Sequence, residues 1–149
     1  MKKSMGALAL CAGLYIVTPH TPLAGAEEGL IAVAAKYVGL QERRNRAALT
    51  RILGIDPVRV RWCGAFLGRV VRNAGGKPPV GFMKASNWSG WGIRANGPVA
   101  GSVAVMRGHV LVVTHTAGKR VCGISGNASN AVARKCYARS KVIAYRRAS

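Results

Sequence analysis

An α+β fold follows from three features of this 149-residue chain. Apolar residues recur at helical spacing between about residues 27 and 74. A stretch rich in glycine and proline, with two tryptophans, fills residues 77–101. Short β-type runs separated by glycines follow from Ser102 onward. Helices first and strands after predict N-terminal helices packed on a small antiparallel sheet.

The elements follow in order. Leu30, Val33, Ala34 and Tyr37 share one helical face, so a first helix is expected over 27–38, with Gly39 ending it. Glu27 and Glu28 suit its electropositive N-terminal end. A second helix is expected over 43–53, carrying Ala48, Leu49, Ile52 and Leu53 inward and stopping at Gly54. Asp56-Pro57 marks a turn. The third helix runs over 63–74. Phe66, Leu67, Val70, Val71 and Ala74 line one side, and Gly75-Gly76 terminates it. Residues 77–101 read as a long loop, the usual form of a binding wall. Strands are expected over 103–106, 109–114, 120–124 and 141–146.

Composition narrows the chemistry. The chain has 23 Lys and Arg against 4 acids, a formal charge of +19. The acids are Glu27, Glu28, Glu42 and Asp56, so no carboxylate follows residue 56. A paired-carboxylate glycosidase site and a multi-carboxylate Mg²⁺ or Ca²⁺ site are hard to build from that set. A triad ending in a late Asp or Glu is excluded.

The N-terminus has the form of an export leader. Lys2 and Lys3 precede the apolar run 5–17, Pro19 and Pro22 break it, and Ala24-Gly25-Ala26 offers a small-x-small cleavage site. The expected organisation is a leader over 1–26 and one domain over 27–149, secreted or periplasmic, with transient membrane anchoring as the alternative. Export implies an oxidising compartment in which cysteines pair. Cys63, Cys122 and Cys136 remain after cleavage, an odd number. Cys122 and Cys136 enclose a short loop and are the expected disulfide, leaving Cys63 free.

Cys63 falls at a predicted helix N-terminus, where the dipole and free N–H groups favour a thiolate. Arg59 and Arg61 act in the same direction. Those N–H groups can also hold an oxyanion. Gly64 beside it leaves room for a substrate. The candidate bases are His109, which opens a strand after Gly108, and His115, which closes the same strand. Six residues apart, they share a sheet face but lie far apart along it. A Cys–His pair needs a third group to orient the imidazole. Without late carboxylates that group is neutral. Asn127, in Ser125-Gly126-Asn127, is the first candidate and Ser125 the second, while Glu42 enters only if the N-terminal part folds back.

Arg61-Trp62-Cys63-Gly64-Ala65-Phe66 resembles the Trp-Cys-small-Ala-Phe segment of the NlpC/P60 and CHAP-type cell-wall hydrolases. Further matches fall in order. They are Tyr37 to Glu42, Ala85-Ser86-Asn87-Trp88, Trp91-Gly92, Gly108-His109-Val110, Gly126 to Asn130 and the closing strand 142–146. Gly101-Ser102 replaces the usual Gly-Asp, a change expected to touch loop structure more than chemistry, and Ala128 replaces a common Gln. The resemblance implies a papain-like α+β fold and amide hydrolysis in peptidoglycan, with no cofactor or metal. It implies Cys63 as nucleophile, His109 as general base and Asn127 as orienting residue. Trp62, Gly64, Trp88 and Trp91 are candidates for binding substrate, and the two later tryptophans could equally anchor the loop. The bond could lie within the stem peptide or between sugar and peptide, and a phage lysis role fits an exported enzyme of this size.

The basic surface suits an exported, monomeric protein that meets anionic wall polymers or lipid head groups. No motif points to specific nucleic-acid recognition. The competing readings are a non-catalytic basic binder of the anionic envelope or nucleic acid, and an acyltransferase that delivers the thioester to an amine.

Overall fold

The computed structural model describes residues 23–149. The leader expected over 1–26 lies, through residue 22, outside the described residues. Helix α1 (Leu23–Ala35) passes without a break through Ala24-Gly25-Ala26. Helix α2 (Arg46–Leu53) starts later than the periodicity suggests. The preceding backbone is engaged elsewhere: Gln41 forms a bridge with Ala131, and Glu42 N–H donates to Asn130 O at 2.7 Å. Helix α3 (Cys63–Asn73) begins on the cysteine. It ends as expected, with Gly75 left-handed at φ +83° and Gly76 N–H bonded back to Val71 O.

The 77–101 segment is a loop holding a 3₁₀ helix (Ala85–Gly90) and a two-residue strand, β1 (Ile93–Arg94). Strands β2 (Val103–Met106), β3 (His109–Ala117), β4 (Arg120–Ser125), β5 (Ala133–Ala138) and β6 (Val142–Arg147) complete an antiparallel sheet. Its order is β1-β6-β2-β3-β4-β5. The architecture is α+β, as expected. Strand β5 has no counterpart in the sequence reading because Ala-Arg-Lys-Cys-Tyr-Ala lacks a clean apolar alternation.

The sheet is curled. In a flat sheet β5 and β6, four strand steps apart, would be separated by about 19 Å. The chain from Ala138 to Val142 spans at most about 14 Å, so the two strands approach across the open side. Two cores result. Trp62, Phe66, Leu67, Val70, Val71, Val103, Val105, Val110, Val112 and Ile124 join the helices to one face of the sheet. Ala104, Met106, Leu111, Val113 and Val121 fill the curl, with Tyr137, Val142 and Tyr145 packed against them. Strand alternation explains the division, because odd and even residues of β3 face opposite sides.

A disulfide joins Cys122 to Cys136 across β4 and β5, which pair directly in the register, with Cα atoms 4.0 Å apart. Cys63 is free. Both agree with the expectation from cysteine spacing.

Candidate active site

Cys63 sits at the start of α3, only 4% exposed. Its position is fixed by close approaches around it. A Cβ on Gly126 would lie 2.5 Å from Phe66 Cβ and 2.7 Å from Trp62 Cζ3. The bare glycine therefore lets α3 rest against the end of β4. Trp62 is fully buried, and its Nε1–H donates to Glu42 Oε2 at 3.0 Å. Glu42 does fold back, but onto Trp62 rather than onto a histidine. A Cβ on Gly64 would meet the carbonyl oxygens of Phe82 and Met83 at 2.4 Å. The glycine is required by that loop, not by space left for a substrate, which corrects the role expected for Gly64.

Cys63 Sγ–H points at Gly108 O, 3.9 Å away. The sulfur is also close enough to the N–H groups of Val110, Gly64 and Cys63 for them to favour its charged form. It thus lies against the backbone on both sides of His109. The thiol is nevertheless pushed up from its ordinary value. Burial is the largest effect and outweighs those N–H groups and the Arg61 charge. The lowered thiol expected from the helix end is corrected on this point. Arg59 is drawn off to Asp56, at 3.4 Å.

His109 is the first residue of β3 and half-buried. Its Nε2 lies 2.9 Å from Ser125 Oγ and 3.2 Å from Tyr137 OH. Ser125 ends β4 and is 1% exposed, and the Tyr137 ring stands 5.3 Å from the imidazole. When Nε2–H donates to Ser125, Nδ1 is left as the basic nitrogen. Burial, and then the Lys135 charge, lower the His109 pKa to about 4. Tyr137 is raised, first by burial and also by the charge of an ionised Cys63, while its bond to Ser125 opposes. Cys63, Ser125, His109 and Tyr137 therefore share one electrostatic neighbourhood.

Asn127 is not the imidazole's partner. Among the described residues no hydrogen bond joins it to His109. The strand stops at Ser125, and Asn127 turns away in left-handed backbone at φ +55°. Ser125, two residues earlier at the end of β4, takes the place expected of Asn127. Tyr137 was missed with β5. The signal lay in the cysteines: a cross-strand Cys122–Cys136 pair puts Tyr137 on the other face from the disulfide, inside the curl.

Trp88 and Trp91 are core residues. Their indoles meet edge to face at 5.5 Å and donate to Phe82 O and Lys77 O, each at 2.8 Å. Trp88 is 0% exposed, so it presents no face to a substrate and acts as the anchor of the glycine-rich loop. Trp62, equally buried, is a support for the cysteine rather than a binding surface. Ser102 is buried and its hydroxyl donates to Val99 O at 2.6 Å, a loop role.

His115 lies exposed at the far end of β3, its Nδ1 3.0 Å from Thr114 Oγ1. One of its ring nitrogens and the sulfurs of Cys122 and Cys136 fall within 4.8 Å of one another. The two sulfurs are bonded to each other and are not thiolate ligands.

A cavity of about 560 Å³ opens beside His109, lined also by Arg107, Tyr137, Ser140, Lys141 and Ile143. It gives a reacting group room next to the imidazole and places two cations nearby.

No known protein family and no curated protein matches the chain. A solved structure named Ly7917 shares 17% identity with it, at a TM-score of 0.38. The match covers 80% of this chain and 61% of that one, so the chain spans less than two thirds of that structure's length. At that level the likeness bears on neither fold nor chemistry.

Proposed function

We propose that the chain is a cysteine amidase of the papain-like NlpC/P60–CHAP type that hydrolyses an amide bond of peptidoglycan. The observation that carries this reading is the placement of Cys63 Sγ against the backbone flanking His109, with His109 Nε2 tied to Ser125. The ordered sequence matches from Tyr37 to Arg146 supply the substrate class.

In the resting state the thiol is protonated and the imidazole neutral, since Cys63 is raised and His109 is near 4. His109 acts first as general base, taking the thiol proton as sulfur attacks the carbonyl. The N–H groups at the start of α3 stabilise the oxyanion. His109 then protonates the leaving amine and activates the water that cleaves the thioester. Ser125 and Tyr137 hold the ring throughout. Export of the domain after removal of 1–26, and a role in phage lysis, belong to the same proposal.

Mass spectrometry of muropeptides after incubation with the protein tests the reading and names the bond. New amine and carboxyl ends are expected, and none with Cys63→Ala. Full activity of Cys63→Ala, or loss in His115→Ala but not His109→Ala, overturns it.

A further inference from the structure

A cavity of about 640 Å³ lies away from the cysteine, beside β1 and β6. Arg94, Arg139 and Arg146 line it, with Asn96 and Ser89. Arg94 and Arg146 stand directly opposite each other in the β1–β6 register. Like charges in that position destabilise a sheet, so the pair costs stability unless an anion lies between them. No carboxylate does so among the described residues. Asp56 is held by Arg46 and Arg59, and Glu42 by Trp62.

Arg146 is also set for ligand binding. Its Nε and one Nη donate to Trp91 O and Gly92 O at 2.7 and 2.8 Å, which fixes the guanidinium plane. Its remaining N–H groups are not used in those bonds. Three guanidinium groups, one of them pre-oriented, with an amide and a hydroxyl beside them, suit the tetrahedral, multiply charged oxygens of phosphate.

The geometry points to a phosphate-binding cavity formed by Arg94, Arg139 and Arg146, which takes phosphate monoester or diester groups. Ile143, 56% exposed, lines both this cavity and the one beside His109. A phosphate-bearing polymer or surface held here would therefore lie next to the Cys63–His109 site. Binding itself does not depend on the reaction, and Cys63→Ala protein is expected to bind as the parent does. Loss of hydrolysis thus leaves the binding result readable.

The test is calorimetric titration of the whole protein with tripolyphosphate at fixed ionic strength, with chloride as the reference anion. Saturable binding is expected, weakened about tenfold, or ~1.4 kcal/mol, by Arg94→Gln or Arg139→Gln. Arg44→Gln removes the same charge from the exposed stretch before α2 and should bind as the parent. Arg94→Gln should also melt higher than the parent without phosphate, because the facing charges are relieved. Soluble poly(glycerol phosphate) and phosphatidylglycerol–phosphatidylcholine vesicles distinguish the source. Capture of the polymer alone assigns a phosphodiester chain, and capture of vesicles a lipid head group. No saturable binding, or equal weakening by Arg44→Gln and Arg94→Gln, overturns the proposal.

Discussion

In the proposed reaction protonated His109 cannot accept the Cys63 proton, so the acid limb of kcat/KM should fall near pH 4 rather than near the ordinary imidazole value of 6.5. A pH–rate profile on a soluble peptidoglycan fragment checks this, and a limb near 6.5 would show an imidazole more open to water than the structure has it. The same shift affects stability. Between pH 6.5 and 4 the unfolded chain binds a proton at His109 that the folded chain does not. The folded state is therefore fully favoured above 6.5 and loses up to about 3 kcal/mol as pH falls through that window. Urea midpoints across the window should slope less in His109→Gln. At the imidazole's other side, Ser125→Ala should lower kcat more than it changes KM, removing much of the ~10²-fold that a positioned base contributes. Asn127→Ala should leave kcat near the parent's. The reverse result would restore Asn127 as the orienting residue.

Strand β5 carries Tyr137 to His109, and the Cys122–Cys136 bond ties that strand to β4. Replacing both cysteines with serine should cost about 3 kcal/mol on the chain-entropy account. Denaturation with and without a thiol reductant measures it, and the parent should respond to reductant while the variant does not. Activity should fall along with stability, because Tyr137 loses the cross-strand tie next to it. Helix α3 makes a sharper demand. Gly64→Ala would place a methyl 2.4 Å from two backbone oxygens that cannot rotate away. Several kcal/mol of destabilisation are expected, since overpacking of this kind costs roughly 1–3 kcal/mol even where side chains can yield. Trp88→Ala should cost about 3–5 kcal/mol. Near-parent stability with lost substrate binding would return Trp88 to a groove role.

Across the whole molecule the excess of positive charge works against compaction. Its effect is screened over about 10 Å at 0.1 M salt. Thermal midpoints should therefore rise with added sodium chloride over the range where that distance shortens, and a flat response would mean the charges are already compensated. The two-core arrangement follows from the same chain economy. Helices cover one face of the sheet, and the short β5–β6 connection curls the other around Leu111, Val113 and Tyr137. His109 stands at the rim between the two, which is why burial dominates its titration.

Legible in the residues alone were the α+β class, helices α2 and α3 with their glycine stops, strand β2 to the residue, the disulfide with its leftover free cysteine, and Cys63 and His109 as the reactive pair worth testing, whereas α1 ends at Ala35, short of the Gly39 expected to stop it. These depend on spacing, turn chemistry and counting, which are local in the chain. The imidazole's partners depend on the folded chain, since Ser125 and Tyr137 reach it only through strand register and the curl of the sheet. The tertiary structure also turned Trp62, Trp88, Trp91 and Gly64 into packing residues, because burial depends on which segments return to cover them. It set the charge state of the pair as well. Helix-end N–H groups can be read from position, but the desolvation that outweighs them at Cys63 exists only once the core has closed.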